Sequence, residues 1–66
     1  MKATINGTLR DLPDELTVGA LLEILGSPRK GIAVACNDRV VRRTEYDCER
    51  LRDGDHVEII EAVAGG

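Results

Sequence analysis

The first twelve residues alternate between apolar and polar side chains, and this pattern predicts a β-hairpin. Asn6-Gly7 provides the two positions of positive φ that a type I′ turn requires. The chain is expected to return as a second strand from Thr8 to about Leu12, and Pro13 ends that strand because proline has no backbone donor. The apolar positions of the first strand share one side and are expected to face the core: Met1, Ala3 and Ile5.

A helical period follows the hairpin. Apolar side chains recur at i, i+3, i+4 and i+7, which places them on one face of a helix: Val18, Leu21, Leu22 and Leu25. Thr17 is a typical N-cap, Gly26 suits the left-handed position after the last turn, and Pro28 prevents the helix from resuming. The spacing predicts a helix over 18–25. A helix this short is not stable alone, so it must pack on a sheet.

Three further strands are predicted after the helix. The segment GIAVACN, residues 31–37, is apolar enough to be buried on both faces, or nearly so. Asn37-Asp38 is a turn signal, and RVVRR at 39–43 forms the next short strand. Residues 44–55 are polar and are predicted to be irregular, with at most one helical turn, before the turn signal Asp53-Gly54.

HVEIIEAV, residues 56–63, reads as the last strand. Alternation assigns Val57, Ile59 and Val63 to one face, and it assigns a second set to the other: His56, Glu58, Ile60 and Ala62. The element order is therefore ββαβββ. One helix packed on one face of a mixed sheet is an α+β architecture, and 66 residues allow a single domain.

Composition excludes several functions. A net charge of −3 and a single aromatic residue, Tyr46, argue against a nucleic-acid surface, which needs a basic face or stacking side chains. The apolar runs are too short to cross a membrane, and no signal peptide is visible, so a cytoplasmic location is expected. A chain this small cannot hold a large internal active site and keep its core.

Few residues offer catalytic chemistry. His56 is the only histidine, and neither cysteine has CxxC spacing, so no metal site is predicted. Cys36 alternates with core positions and reads as a small core residue, whereas Cys48 is expected to be exposed. Both thiols are expected to be reduced, with a Cys36–Cys48 bridge as the alternative. A basic group is interpreted as a solvated face, with a docking patch as the alternative: Arg29, Lys30, Arg39, Arg42 and Arg43.

The sequence ends in Gly65-Gly66, directly after the last predicted strand. Glycine has no side chain to pack and is a poor strand residue, so this pair is not explained by the stability of the fold. Without a Cβ, glycine tolerates any backbone conformation and fits a narrow channel. The α-carboxylate of Gly66 is therefore a candidate reactive group, presented to the active site of another enzyme.

Four segments together resemble the sulfur-carrier proteins of thiamine biosynthesis, which belong to the ubiquitin-like β-grasp superfamily. The resemblance extends over essentially the whole chain and is carried by NG at 6–7, TVGALLEILG at 17–26, GIAVACNDRVVRR at 31–43 and DGDHVEIIEAVAGG at 53–66. It implies a β-grasp domain over 1–62, with the last strand at the centre of the sheet beside and parallel to the first. It also implies a flexible tail over 63–66.

The resemblance implies a protein co-substrate and not an enzyme. A ubiquitin-activating-like adenylyltransferase would use ATP to adenylate Gly66, and a sulfur donor system would convert it to a thiocarboxylate. Thiazole synthase would then receive the sulfur. By position, Gly65 would occupy the channel of the partner, and three residues would contact partners: Ile60, Val63 and Ala64. No cofactor bound to this chain is implied.

Three alternatives stay open at this point. The chain could supply sulfur for molybdopterin or for another sulfur-transfer pathway with the same tail chemistry. It could also be a ubiquitin-like modifier whose last glycine forms isopeptide bonds with lysine. A plain interaction module with an inert tail is the third alternative. Loss of the terminal glycines would abolish the first two functions and leave the third intact.

Overall fold

The computed structural model describes residues 1–61. This part of the chain contains two hairpins, a helix between them and a final strand. In chain order, its elements are β1 (Lys2–Ile5), β2 (Thr8–Asp11), α1 (Val18–Leu25), β3 (Ile32–Cys36), β4 (Arg39–Val41), a short 3-10 helix (Arg43–Glu45) and β5 (His56–Glu61).

All the strands form one mixed sheet in the order β2-β1-β5-β3-β4. The neighbours β1 and β5 are parallel, and every other neighbouring pair is antiparallel. The last strand therefore lies at the centre of the sheet beside the first, as the resemblance implied. The predicted α+β fold with a ββαβββ order is confirmed.

The first hairpin has the predicted turn. Asn6 and Gly7 have φ values of 50° and 83°, and β1 pairs with β2 from Ile5–Thr8 to Lys2–Asp11. Ala3 and Ile5 are buried, because their side of β1 faces the helix. The alternating pattern therefore predicted the orientation of the first strand correctly.

The helix begins and ends at the predicted residues because both caps are encoded locally. The Thr17 hydroxyl accepts a hydrogen bond from the backbone N–H of Ala20 at 3.1 Å. At the other end Gly26 adopts φ 67°, and its N–H is directed to the carbonyls of the last turn. Leu21 and Leu22 are almost completely buried against the sheet.

The core lies between α1 and one face of the sheet. It combines side chains of the helix with alternate residues of the strands and with residues of the connecting segments: Ala3, Ile5, Leu12, Leu16, Val18, Leu21, Leu22, Val34, Val41, Tyr46, Leu51 and Val57. No polar or charged residue is buried in the described part of the chain.

The prediction that β3 is buried on both faces is wrong. Val34 is buried, but Ala33 is exposed and Ala35 is only half-buried. The helix covers one face of the sheet, and nothing among residues 1–61 covers the other. Two alanines expose little apolar area, so the local composition looked like a buried strand although only one side contributes to the core.

The segment after β4 contributes more to the fold than its polar composition suggested. Tyr46 and Leu51 are both buried in the core. The backbone carbonyls of Tyr46 and Glu49 accept hydrogen bonds from Gly19 N–H at 2.8 Å and Val18 N–H at 2.9 Å. The segment therefore satisfies N–H groups in the first turn of α1 that a helix cannot satisfy internally.

No helix within residues 1–61 has the length and apolar character needed to cross a membrane.

Candidate functional site

The central strand β5 exposes one side to solvent. Val57 is buried and Ile59 half-buried beneath the helix, whereas Ile60 lies on the opposite face with 56% of its surface exposed. Its neighbour across the strand pair is the small residue Ala33, which leaves the isoleucine side chain accessible. The structure thus places the predicted contact residue Ile60 where another molecule can reach it.

We call this side of the sheet the open face; its residues are Thr4, Leu9, Ala33, Ala35, Val40, His56, Glu58 and Ile60. Besides Ile60 it carries two large apolar side chains, Leu9 and Val40. Leu9 pairs with Thr4, and Val40 pairs with Ala35, so register assigns them to this face. Both are more exposed than Ile60. The sequence reasoning did not single them out, although strand alternation with Ala3 and Val41 buried could have indicated them.

Asn6, in the turn of the first hairpin, holds β5 near its C-terminal end. The Asn6 N–H donates to the Val57 carbonyl at 2.9 Å. Its side-chain Oδ1 accepts from the Ile59 N–H at 2.8 Å, and its Nδ2 donates to the Ile59 carbonyl at 3.3 Å. The pairing of β1 with β5 ends at Val57, so the Asn6 side chain continues the pairing for two more residues.

An equivalent asparagine holds the start of β5. Asn37 lies in the turn of the second hairpin with φ 52°, and its Oδ1 accepts from the His56 N–H at 2.9 Å. The Asn37 N–H donates to the His56 carbonyl at 2.7 Å, and its Nδ2 donates to Asp55 at 3.0 Å. Both turn signals in the sequence were predicted as turns, but their side-chain bonds to β5 were not.

Asp55 lies immediately before β5 and accepts several hydrogen bonds. Its carboxylate accepts from the Arg52 N–H at 2.8 Å, from Asn37 and from the Cys36 thiol, whose sulfur lies 3.6 Å from Oδ2. Partial burial alone would raise the pKa of Asp55, but these hydrogen bonds outweigh it and lower the pKa below its usual value. Asp55 is thus an ionised carboxylate that links the ends of β3 and β5.

The two cysteines have different environments, and both are free thiols. Burial, together with the nearby carboxylate of Asp55, raises the pKa of Cys36 to about 11. Cys36 is therefore a protonated hydrogen-bond donor and not a nucleophile at neutral pH. It packs against the core as predicted, and Cys48 is exposed as predicted.

An open cleft of about 810 Å³ lies at the start of β5, and both cysteines line it. Four of its charged groups form two ion pairs, Arg39 with Glu49 at 3.8 Å and Arg50 with Glu15 at 3.5 Å. These pairs leave a polar surface of mixed sign. The cleft lies at the start of β5, remote from Glu61, the last described residue.

Two members of the basic group predicted from the sequence, Arg29 and Arg39, form ion pairs in the structure. Arg29 makes a bidentate ion pair with Asp47, with N–O distances of 2.7 and 3.0 Å. Hydrogen bonding to Arg29 lowers the pKa of Asp47. Arg42 and Arg43 are exposed, as is His56. Within residues 1–61, no set of three or more His, Cys, Asp or Glu side chains is arranged to hold a metal ion.

The remaining predicted site residues lie outside the described part of the chain: Val63, Ala64, Gly65 and Gly66. The predicted boundary between a domain at 1–62 and a tail at 63–66 also lies outside it. The structure describes the strand that precedes these residues. Asn37 accepts a hydrogen bond from this strand at His56, and Asn6 accepts one at Ile59.

The architecture has close counterparts among solved structures. The crystal structure of the thiamine biosynthesis protein ThiS from Geobacter metallireducens superposes with a TM-score of 0.87 at 30% sequence identity, and each chain is covered completely. A solution structure of a thiamine biosynthesis protein from the same organism gives 0.80 at 32% identity, covering all of this chain and 88% of the other.

Sequence relatives point in the same direction. The sulfur carrier protein ThiS of Thermus thermophilus is 37% identical over 62 residues, which is 94% of this chain and 95% of that protein. A thiazole synthase of Paramagnetospirillum magneticum is 38% identical over 66 residues, but the chain spans only 20% of its length. The ThiS family model matches residues 3–66. With this match over almost the whole chain and the shared β-grasp architecture, the protein belongs to the ThiS family.

Proposed function

We propose that the chain is a sulfur carrier of thiamine biosynthesis and that it works as a protein co-substrate, not as a catalyst. The observation that carries this proposal is the near end-to-end correspondence with a ThiS sulfur carrier, 94% of this chain against 95% of the relative. A second ThiS sulfur carrier, from Escherichia coli, is 36% identical over 50 residues.

The reactive group in this proposal is the α-carboxylate of Gly66. A carboxylate is a poor acyl donor because its charge is delocalised and an oxide is a poor leaving group. Attack of one carboxylate oxygen on the α-phosphate of ATP forms an acyl-adenylate and releases pyrophosphate. A sulfur nucleophile then forms a bond to the acyl carbon, and AMP leaves with its oxygen. The ATP is bound and consumed by the activating partner, so this chain needs no cofactor of its own.

The terminal residues have distinct roles in the proposal. Gly65 passes through a narrow channel of the activating enzyme, where a Cβ would collide with the walls. Ile60, Val63 and Ala64 contact the partner next to that channel. Ile60 supports this assignment because it is exposed on the central strand, immediately before the residues that lead to Gly66.

The partners follow from the same chemistry. An adenylyltransferase related to ubiquitin-activating enzymes forms the acyl-adenylate, a sulfur donor system supplies the sulfur, and thiazole synthase accepts it. Support for the last partner comes from Paramagnetospirillum magneticum, in which a protein named thiazole synthase includes a stretch that matches this whole chain. The presence of a carrier-like stretch and a thiazole synthase in one chain is consistent with direct contact between carrier and synthase during sulfur transfer.

The test is a chain extended by one residue after Gly66, compared with the chain ending at Gly66 in a thiamine-auxotrophic strain that lacks its own carrier. We expect the extended chain to keep its unfolding midpoint but to lose both adenylation and growth without thiamine. The chain ending at Gly66 should also gain the mass difference between a sulfur and an oxygen atom in intact-protein spectra. Growth of the extended variant without trimming of the added residue would refute the proposal.

The same spectra separate the other functions. Conjugates with other proteins would identify a ubiquitin-like modifier. A thiocarboxylate without rescue of thiamine-free growth would indicate another sulfur pathway, such as molybdopterin synthesis. A chain that keeps its function after removal of Gly65 and Gly66 would be an interaction module.

A further inference from the structure

From the geometry at the end of the central strand, we infer that Asn6 is a positioning residue for activation of the terminal glycine, because its side chain fixes the part of β5 that leads to the tail. This inference rests on the proposed function, since it concerns how Gly66 is presented. It gives the Asn6-Gly7 turn a second role. The turn closes a hairpin, and its asparagine also holds a strand that is 53 positions away in sequence.

The two sides of β5 are supported over different lengths. On one side β3 pairs with β5 from Cys36–Val57 to Ile32–Glu61, so this support extends to the last described residue. On the other side the pairing with β1 stops at Ile5–Val57. Beyond Val57 the backbone of β1 turns away into the hairpin, which would leave the Ile59 N–H and carbonyl without a strand partner on that side.

The Asn6 side chain replaces the missing strand. In a parallel pair that continued past Ile5, a backbone carbonyl would accept from the Ile59 N–H. Instead, Oδ1 of Asn6 accepts that bond at 2.8 Å, and Nδ2 contacts the Ile59 carbonyl at 3.3 Å. A primary carboxamide has the same donor and acceptor as a peptide group, so asparagine can imitate one more residue of β1. Its φ of 50° places the side chain over β5, and asparagine tolerates this region better than most residues.

Support at this position matters because binding a tail in a narrow channel has an entropic cost. A strand whose course is fixed up to its last residues leaves less chain to be ordered in the complex. Loss of the Asn6 contacts therefore weakens binding of the carrier to the activating enzyme. The ground-state complex and the transition-state complex lose the same amount of binding energy. Such a loss raises KM and leaves kcat unchanged at saturation.

The second asparagine provides a matched control. Asn37 has nearly the same φ as Asn6, lies at the corresponding place in a second hairpin turn and also accepts from a β5 N–H, at 2.9 Å. Its target is His56, the first residue of β5, and it makes an additional bond to Asp55. Asn37→Gly therefore removes at least as many hydrogen bonds as Asn6→Gly, but from the end of β5 that is remote from Gly66.

The experiment measures ATP–pyrophosphate exchange by a purified activating enzyme with the wild-type chain, Asn6→Gly and Asn37→Gly as co-substrates. Amide exchange of the free proteins is measured in parallel. We expect Asn6→Gly to raise KM by up to roughly tenfold with kcat unchanged, because the energy of the two hydrogen bonds lost within the carrier is the upper limit on the cost of re-ordering this part of β5 in the complex. The Ile59 amide should exchange faster in this variant. Asn37→Gly should speed exchange at His56 and keep the wild-type KM.

A conservative variant keeps the test informative if Asn6→Gly folds poorly. Asn6→Asp retains the acceptor for the Ile59 N–H but places a carboxylate oxygen against the Ile59 carbonyl, so an intermediate KM is expected. Equal increases in KM for Asn6→Gly and Asn37→Gly, or an unchanged KM for Asn6→Gly with faster exchange at Ile59, would overturn the inference while leaving the proposed function intact. A wild-type chain that supports no exchange of pyrophosphate would refute both.

Discussion

Gly19 lies in the first turn of α1, and its replacement by alanine is expected to stabilise this protein less than the same change stabilises most helices. Alanine is favoured over glycine inside a helix by about 1 kcal/mol, because glycine loses more backbone entropy on folding. In this protein, a Cβ added at Gly19 would lie 2.5 Å from both Arg29 Nη2 and Asp47 Oδ1. The ion pair between these side chains therefore occupies the space that an alanine methyl group needs.

The expected magnitude follows from the exposure of the ion pair. The Arg29 and Asp47 side chains are 40% and 69% exposed, so solvent screens their attraction and the pair contributes about 0.2–1 kcal/mol. Both clashing atoms are at the ends of flexible side chains that can move away, at the cost of the bidentate contact. Gly19→Ala should therefore raise the free energy of unfolding by only about 0–0.8 kcal/mol, since the lost pair offsets part or all of the gain in helix propensity.

A double-mutant cycle isolates this effect. In an Arg29→Ala, Asp47→Ala background, Gly19→Ala should stabilise by about 1 kcal/mol in urea unfolding, which gives a coupling of about 0.2–1 kcal/mol between the sites. Ala20→Gly is the control, and it should cost the same in both backgrounds because Ala20 packs against the hydrophobic core. Equal stabilisation by Gly19→Ala in both backgrounds would refute the reasoning.

Two other outcomes follow from the core and from Cys36. Leu21→Ala should lower the free energy of unfolding by about 2–5 kcal/mol in urea titration, because Leu21 is completely buried. A loss below about 1 kcal/mol, as for a surface substitution, would contradict the packing described. The Cys36 pKa is raised from 9.0 to about 11, so its contribution to stability is complete below the unfolded value and is lost as pH rises through this window. The thermal midpoint of the wild type should therefore fall more steeply above pH 9 than that of Cys36→Ala, and parallel curves would show that the thiol environment is not as described.

Local signals in the sequence predicted the fold wherever the cause of a structure lies within a few residues. Thr17 and Gly26 determine both ends of α1, and the structure places the helix ends where these residues indicated. The positive φ values at Asn6-Gly7 follow equally from the residues themselves. Such features need no knowledge of the rest of the chain.

Features that depend on contacts far apart in sequence were not predictable in the same way. Whether the second face of β3 is buried depends on whether another layer covers the sheet, and Ala33 and Ala35 are compatible with either outcome. Tyr46 lies in a polar segment, and it is buried because the carbonyls of that segment accept bonds from the N-terminus of α1. The Asn6 contact to Ile59 joins residues that no local pattern relates.

Placing the strand that leads to Gly66 at the centre of the sheet has an energetic reason. An edge strand such as β4 is bonded on one side only and is among the first segments to open locally. β5 is bonded to β3 along its length and, on its other side, to β1 and the Asn6 side chain. Opening β5 therefore requires the loss of bonds on both sides at once. In the proposed function an activating enzyme binds residues that follow β5, and the bonds on both sides keep the strand in the sheet while it does so.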